Sequence, residues 1–195
     1  MGALCGLWGG ILSENRLSEK DQAPDFVAKP VFGKHLSLAE HAENRPVVLV
    51  FVPSLGAPMS RGILAQMQQS VSDFDLAGVS LYAITRSSPE VAQDFVPRHH
   101  LLFPTIVDAG GEIFSKYGVG GLCLKGAVRS LNPRRIRKGI TVWSHGVGRF
   151  ERGFFAPTAV VSIQRGGQVF RAHYSDSLWP QLSFEEILAA LTTAA

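Results

Sequence analysis

The stretch that decides the fold is RPVVLVFVPSLGAPMSR, residues 45–61. Its centre, VVLVFV (Val47 to Val52), is an unbroken apolar run bounded by Pro46 and Pro53. A run of this length and β-branched content is typical of a strand buried on both faces of a sheet. From Ser60 onward, the apolar residues fall on one face of an α-helix: Ile63, Leu64, Met67, Val71 and Phe74. The stretch therefore predicts a buried strand followed by an amphipathic helix.

The same alternation continues downstream. A second strand, VSLYAIT, follows Gly78, and Ser88-Pro89-Glu90 supplies a helix N-cap with proline at the first helical position. That helix is expected to end near Pro97. An extended piece over 103–107 and a turn over 108–111 precede a short helix that ends at Gly118, a good residue to follow a helix.

The C-terminal part predicts a hairpin and a final helix. The strands TAVVSI (158–163) and VFRAHY (169–174) flank a Gly-Gly turn. Ser183 and Glu186 form a capping box ahead of an apolar stripe at Phe184, Ile187, Leu188 and Leu191. The order is β-α-β-α, an insertion, then β-β-α. It predicts an α/β fold with a central mixed sheet flanked by helices, parallel in its first half and antiparallel in its second.

Composition limits the class of protein. With 195 residues, 46% apolar and 18% charged, the chain fits one globular domain over 23–195 behind an N-terminal arm, 1–22. Only two cysteines are present, Cys5 and Cys123, which excludes a disulfide scaffold and predicts the cytoplasm or another reducing compartment. No apolar run reaches the ~18 residues of a membrane span. For the arm, docking or mobility is the expectation, and a lipid anchor at Gly2 or Cys5 is the alternative.

Charge is concentrated in the insertion, which covers about 120–152. Eight of the 19 lysines and arginines lie between Lys125 and Arg152, with Glu151 the one acid among them. Such a segment is expected to contact an acidic surface, or to be simply a solvated helix face. Nucleic acid is not expected, because no recognised RNA- or DNA-binding pattern is present. Neither a metal nor a cofactor is expected, since no histidine or cysteine spacing matches a zinc site.

Six segments of the chain together resemble the peroxiredoxin-like, AhpC/TSA (redoxin) branch of the thioredoxin fold. They are APDF (23–26), GKHLSL (33–38), RPVVLVFVP (45–53), ITRSSPE (84–90), FPTIVDAGGEIFSKYGV (103–119) and the closing hairpin and helix. The resemblance covers most of 23–192. It implies a thioredoxin-like fold and the chemistry of antioxidant thiol oxidoreductases. The basic insertion is similar to the one found in the peroxiredoxin-like subgroup that carries Cys-x-x-Cys.

The family's reactive cysteines would lie in the loop after the first central strand, in a pattern such as Gly-Cys-Pro-x-Cys-Arg. Here the frame residues Pro53, Gly56, Pro58 and Arg61 match, but Ala57 and Ser60 stand at the two cysteine positions. Thiol chemistry requires a thiolate that passes through a sulfenic acid or a mixed disulfide, and a serine oxygen has no such state.

Ser60 and the remaining thiols leave alternatives open. Ser60 is expected to be the N-cap of the helix; the alternative is a nucleophile, whose base would be His99, His100, His145 or His173 brought close by the fold. Cys123 is either inert packing or a displaced redox thiol.

The resemblance also implies a substrate-binding surface around the loop. Ala156-Pro157-Thr158 resembles the segment in which thioredoxin-fold proteins carry a proline, usually cis, that faces the active-site loop. The expected binding residues are Pro53, Pro58, Met59, Pro157 and Thr158. Arg152 is either the counterpart of the arginine that peroxiredoxins place beside the thiolate or part of the basic surface.

Three interpretations follow. The first is a peroxiredoxin-like pseudoenzyme that serves as a non-catalytic binding or structural subunit, with a protein partner or a second copy. The second is a non-redox enzyme that uses the old cleft as an apolar pocket, lined by Leu55, Met59, Phe154 and Phe155, with Ser60, Arg61 and Arg152 as polar anchors. The third is an oxidoreductase into which Ala57 and Ser60 were introduced by mutation.

Overall fold

A central sheet of five strands organises the molecule. The computed structural model describes residues 16–120, 158–175 and 183–193. The elements, in chain order, are β1 (Val27–Ala28), β2 (Leu36–Ser37), α1 (Leu38–Asn44), β3 (Val47–Val52), α2 (Pro58–Leu76), β4 (Ser80–Thr85), α3 (Pro89–Arg98), β5 (Thr105–Val107), α4 (Glu112–Lys116), β6 (Ala159–Ile163), β7 (Val169–Tyr174) and α5 (Phe184–Thr193).

The strand order of the sheet is β5-β4-β3-β6-β7. Strands β3, β4 and β5 are parallel, with Val47 opposite Ser80 and Ala83 opposite Thr105. Strand β6 then pairs antiparallel with β3, and β7 antiparallel with β6. The parallel half and the antiparallel half meet at β3, so the strand VVLVFV lies at the centre and is fully buried.

Alternation along the strands sends side chains into two separate cores. On one face, Phe51 packs against Phe114 and Tyr117, with ring centroids 5.2 Å apart in both pairs. On the other face, Val50 and Ala83 lie under Met67 of α2 and Phe95 of α3. Because both faces are covered, the central strands need no polar side, which is why their sequences read as continuous apolar runs.

The sequence-based fold prediction is confirmed, with corrections at element ends. Strand β3 has the predicted bounds, and Ser88 caps α3, accepting from the amide of Val91 at 3.4 Å. Helix α3 ends at Arg98, directly after Pro97. Gly118 follows α4 with a φ of +64°, the left-handed value expected after a helix.

Two elements differ from expectation. Helix α2 begins at Pro58, two residues before the predicted start at Ser60. The sequence reasoning also assigned no structure to GKHLSL, which holds β2 and the start of α1. The predicted helix within the insertion, the insertion itself and residues 1–15 of the arm lie outside the described residues. Residues 16–22 of the arm run beside the hairpin, where the amide of Lys20 donates to the carbonyl of Val169 at 2.8 Å.

Candidate functional site

The loop between β3 and α2 is buried along its whole length. Every residue from Pro53 to Ser60 is buried, and Ser54 and Leu55 have no exposed surface. A connecting loop is ordinarily exposed, because its backbone polar groups need water. Burial of a whole loop therefore requires that the protein supply its hydrogen bonds.

Three contacts that involve side chains supply part of them, and the amide of Ala57 also donates to the carbonyl of Ser54 at 3.3 Å. The amide of Leu55 donates to Ser87 Oγ at 2.9 Å, and the amide of Gly56 donates to Ser54 Oγ at 3.2 Å. The side chain of Arg61 reaches back along the loop, so that its Nε donates to the carbonyl of Leu55 at 3.1 Å. Ser87 follows β4, the neighbouring strand, and its amide is bound in turn by Thr85 Oγ1 at 3.2 Å. The loop is thereby tied to the adjacent strand and to its own helix.

The prediction that Ser60 caps α2 is wrong. The N-cap is Ala57, in an extended conformation with no side-chain hydrogen bond, and Pro58 is the first helical residue. Proline suits that position because its fixed φ matches the helix and its missing N–H needs no partner. Ser60 is the third residue of the first turn, and it is 2% exposed. It therefore sits inside the helix.

The sequence-predicted pairing of Ser60 with a histidine base is not seen. Within the described residues, no hydrogen bond joins Ser60 to a histidine side chain. His99 follows α3, while His100 and His173 are exposed. His145 lies outside the described residues. The described parts of the chain also hold no group of three or more histidine, cysteine, aspartate or glutamate side chains that could bind a metal ion.

A cleft of about 310 Å³ opens where the loop meets α3. It is lined by Gly56, Arg61, Glu90, Val91, Asp94, Phe95, Arg98 and His99. The Arg61 guanidinium lies 5.3 Å from the centroid of the Phe95 ring, and the His99 ring lies 4.0 Å from it. The guanidinium of Arg61 and the imidazole of His99 thus share one aromatic surface.

The electrostatics of this cleft follow from crowding of positive groups. Partial burial, then the charge of Arg98, lowers the pKa of Arg61. Partial burial, then the charges of Arg61 and Arg98, lowers the pKa of His99. Arg98 itself pairs with Asp94 at 2.6 Å. The cleft therefore favours a neutral imidazole at His99 near neutral pH.

The apolar pocket expected around the loop is only partly realised. Leu55 is fully buried and packs into the core beneath α2 and α3, and it is not among the residues that line this cleft. Met59 is 8% exposed. Of the polar anchors predicted, Arg61 lines the cleft, and Ser60 is not among its lining residues. Phe154, Phe155 and Arg152 lie outside the described residues.

The remaining predicted residues divide in the same way. Thr158 directly precedes β6, where the register of β6 with β3 carries it next to Val52 and hence beside the start of the loop. It is 2% exposed, and its Oγ1 has no hydrogen-bond partner. Pro157 lies outside the described residues, as do Cys5 and Cys123.

The sequence predicted Arg61 and His99 as candidate site residues, but it did not identify Ser87, which holds the loop, or Phe95, which lines the cleft. Ser87 was not singled out, although it stands in ITRSSPE beside the serine that was assigned as a cap. Phe95 and His99 belong to α3, and only the packing of α3 against α2 brings them to Arg61. No periodicity in the sequence signals that meeting.

Comparison with known proteins identifies the family to which this chain belongs. The sequence profile of the AhpC/TSA family matches residues 20–131, more than half of the chain. The chain belongs to the AhpC/TSA family. A Mycobacterium tuberculosis protein assigned as a peroxiredoxin is 28% identical to this AhpC/TSA protein over 106 residues, which are 54% of this chain and 67% of the relative. The thiol-disulfide oxidoreductase ResA of Halalkalibacterium halodurans is 30% identical over 100 residues, 51% of this chain and 56% of that protein.

Solved structures confirm the thioredoxin-like fold of this AhpC/TSA protein. A peroxidoxin from Mycobacterium tuberculosis superimposes with a TM-score of 0.66 at 16% identity, covering 92% of this chain and 99% of the other. A peroxiredoxin-like protein from Aquifex aeolicus superimposes with a TM-score of 0.69 at 16% identity, covering 95% and 92%. Among the helices that the structure describes, none has both the length and the apolar character to cross a membrane.

Proposed function

We propose that this AhpC/TSA-family protein has lost thiol catalysis at the β3–α2 loop and acts as a non-catalytic binding or structural subunit. The observation that carries the proposal is the first turn of α2. Ala57 is its N-cap and Ser60 its third residue, both 2% exposed, at the two positions where the resemblance expects cysteines. A helix N-terminus lowers the pKa of a thiol, but neither residue has a thiol to ionise.

The chemistry of peroxide reduction explains why the loss would be complete at this loop. A thiolate attacks one peroxide oxygen and forms an S–O bond while the O–O bond breaks; the cysteine is oxidised to sulfenic acid, and the other oxygen leaves and is protonated to water or an alcohol. A second thiol then reduces the sulfenic acid to a disulfide and releases water. The chain has two cysteines, Cys5 and Cys123, and neither lies in the loop.

A binding role fits the features that remain. The loop is held by the amide of Leu55 donating to Ser87 Oγ and by Arg61 Nε donating to the carbonyl of Leu55, and neither contact needs a sulfur atom. The basic segment Lys125–Arg152 has the charge to contact an acidic protein surface, on a partner or on a second copy of the chain. The proposal includes a reducing intracellular compartment, because proteins of oxidising compartments are typically rich in disulfides and this chain has two cysteines.

One observation favours a second candidate, a ligand pocket without redox chemistry. The cleft of about 310 Å³ beside Gly56 and Arg61 has the volume of a small-molecule site and combines an aromatic surface with charged groups. If this candidate is correct, Arg61→Ala weakens ligand binding while the oligomeric state stays unchanged. A partner-binding role predicts no such effect, because its contacts lie elsewhere.

The decisive experiment compares the protein with an Ala57→Cys/Ser60→Cys variant in a peroxide-consumption assay with a thiol reductant. We expect no turnover above the thiol blank for the unmodified protein. We expect measurable turnover for the double variant if the frame is still competent. A Cys5→Ser/Cys123→Ser variant of the unmodified protein is the matched control, because it removes the thiols that lie outside the loop.

Each outcome bears on the proposal. Turnover by the unmodified protein that disappears in the Cys5→Ser/Cys123→Ser control would overturn it, because catalysis would then use a displaced thiol. Turnover by the double variant alone supports the loss of sulfur as the cause of inactivity. The sequence of the natural gene then separates evolutionary loss from an introduced mutation. Light scattering on the purified protein and on native extract tests the subunit role, and a free monomer without a partner contradicts it.

A further inference from the structure

Arg86 occupies the carboxyl edge of the central sheet, directly after β4. Because β3, β4 and β5 are parallel, their carboxyl ends meet at this edge, with Thr85 between Val52 and Val107. In open α/β sheets, ligands bind in the crevice outside the carboxyl ends of the strands. The location is therefore one where a charged side chain meets a ligand, and it adjoins the loop that Ser87 holds.

The guanidinium of Arg86 is held in a narrow space. Its Cζ lies 5.9 Å from the centroid of the Phe114 ring. On another side is Gly111, where a Cβ would come within 3.2 Å of Cζ, Nε and Nη2 of Arg86. Gly111 also has a φ of +78°, which glycine adopts without strain. The ring and the bare backbone of Gly111 thus restrict where the guanidinium can lie.

The Nε of Arg86 is buried and lacks a hydrogen-bond partner. Asp108, at the end of the same sheet, accepts instead from the amides of Glu112 at 2.9 Å and Phe114 at 2.8 Å. The ion pair found among the described residues joins Arg98 and Asp94, so it does not involve Arg86. A buried donor without a partner is destabilising, and more so when it belongs to a charged group.

Arg171 provides a comparison, because it makes a similar ring contact without a buried, unpartnered nitrogen. Its Cζ lies 5.8 Å from the centroid of the Phe170 ring, nearly the same distance as in the Arg86–Phe114 pair. Arg171 is exposed on β7, which is an edge strand of the sheet. It is not among the residues with a buried unpartnered nitrogen. Cation–ring contact alone therefore does not bury a donor.

We propose that Arg86 binds the oxyanion of a small ligand, a carboxylate or a phosphate, at the carboxyl edge of the sheet. A guanidinium presents its N–H groups as a planar fork that matches two oxygens of such a group, and it stays charged at every physiological pH. Because Nε is buried, the oxyanion is expected at the Nη groups of that fork, where it supplies the counter-charge that Arg86 lacks among the described residues. The inference goes beyond the proposed function, because it does not depend on what has become of the loop's thiol chemistry.

The test follows the arginine Nε–H resonances by NMR while the full chain is titrated with inorganic phosphate, and in a second arm with acetate, at constant ionic strength. We expect the Arg86 resonance to shift with saturation in the millimolar range, the order of affinity that a single charged pair provides. The Arg171 resonance should not saturate. The two arms separate phosphate from carboxylate as the preferred source of the oxyanion.

Substitutions give an independent readout. Arg86→Gln is expected to weaken the affinity for the better anion about tenfold or more, with binding detected by the remaining amide shifts. Arg86→Lys keeps the charge but loses the planar fork, so its anion affinity should lie between those of the unmodified protein and Arg86→Gln. Arg171→Gln is the matched control and should leave the affinity unchanged. Equal, unsaturating shifts of both arginines in the unmodified protein, or equal losses in Arg86→Gln and Arg171→Gln, would overturn the proposal.

Discussion

Helices α2 and α3 begin in the same way, yet only one of them is capped by a side chain. Each follows a parallel strand of the sheet, and each has proline as its first residue, Pro58 or Pro89. Before Pro89 stands Ser88, which accepts from the amide of Val91. Before Pro58 stands Ala57, which has no group to accept a hydrogen bond.

The difference shows which contacts stabilise the N-terminus of each helix. At α3 the stabilising contact is local, from a serine three residues before the amide it binds. At α2 the contacts come from elsewhere, through Ser87 on the loop after β4 and Arg61 one turn further along the helix. The start of α2 is thus a site built by the tertiary structure. It keeps the helix N-terminus that would stabilise a thiolate, without a cysteine to use it.

The largest effect is expected from removing the tertiary anchor. Ser87→Ala leaves the buried amide of Leu55 without its acceptor, so the free energy of unfolding should fall by about 1–3 kcal/mol. Urea denaturation with an unchanged m-value measures the loss. A loss below about 0.5 kcal/mol, as for an ordinary surface substitution, would mean that the loop does not depend on this contact.

A smaller effect, of opposite sign at the two helices, is expected from exchanging their caps. Ser88→Ala should lower the free energy of unfolding by about 1 kcal/mol, because α3 loses the acceptor for one of its first amides. Ala57→Ser should raise it by about 0.5–1 kcal/mol, because α2 gains such an acceptor. Thermal and urea unfolding of the two single variants check the signs.

Ala77→Ser is the matched control for the gain at Ala57. It makes the same chemical change at the other end of α2, where Ala77 is the C-cap and no free amide of the helix needs an acceptor. Its effect should be close to zero. An equal gain at both ends would show that serine stabilises α2 for a reason other than capping.

The smallest effect concerns pH, and it involves His99, beside the meeting of α2 and α3, together with His41 of α1. Burial, then Arg61 and Arg98, lowers the pKa of His99, while burial, then Arg45, lowers the pKa of His41. The unfolded chain therefore binds more protons than the folded one below about pH 6.5. Stability should be full above that pH and fall as the pH drops through the lower folded pKa values.

Melting temperatures between pH 8 and pH 5 measure this slope. A His41→Gln/His99→Gln variant should lose part of the decline, because neither side chain then takes up a proton on unfolding. Both imidazoles are largely solvated, so the change is modest. An unchanged slope in the double variant would contradict the assignment.

Much of the fold could be predicted because the signals are local. VVLVFV, the serine before Pro89 and the glycine pair of the hairpin each specify their element through nearby residues alone. The cap of α2 could not be predicted in that way. Ser60 has the right residue type, but Pro58 starts the helix earlier and carries Ser60 into the first turn. The strand pair β1–β2 was missed because two residues are too few for any periodicity.

The sequence by itself determined the α/β order, the central strand, the family resemblance and the absence of cysteine from the loop. These depend on residue types and on spacings within one element. Only the tertiary structure decided that Ser87 holds Leu55, that Arg61 and His99 share the ring of Phe95, and that Arg86 buries a nitrogen without a partner. Such contacts join residues from different elements, so they exist only once sheet register and helix packing have brought those elements together.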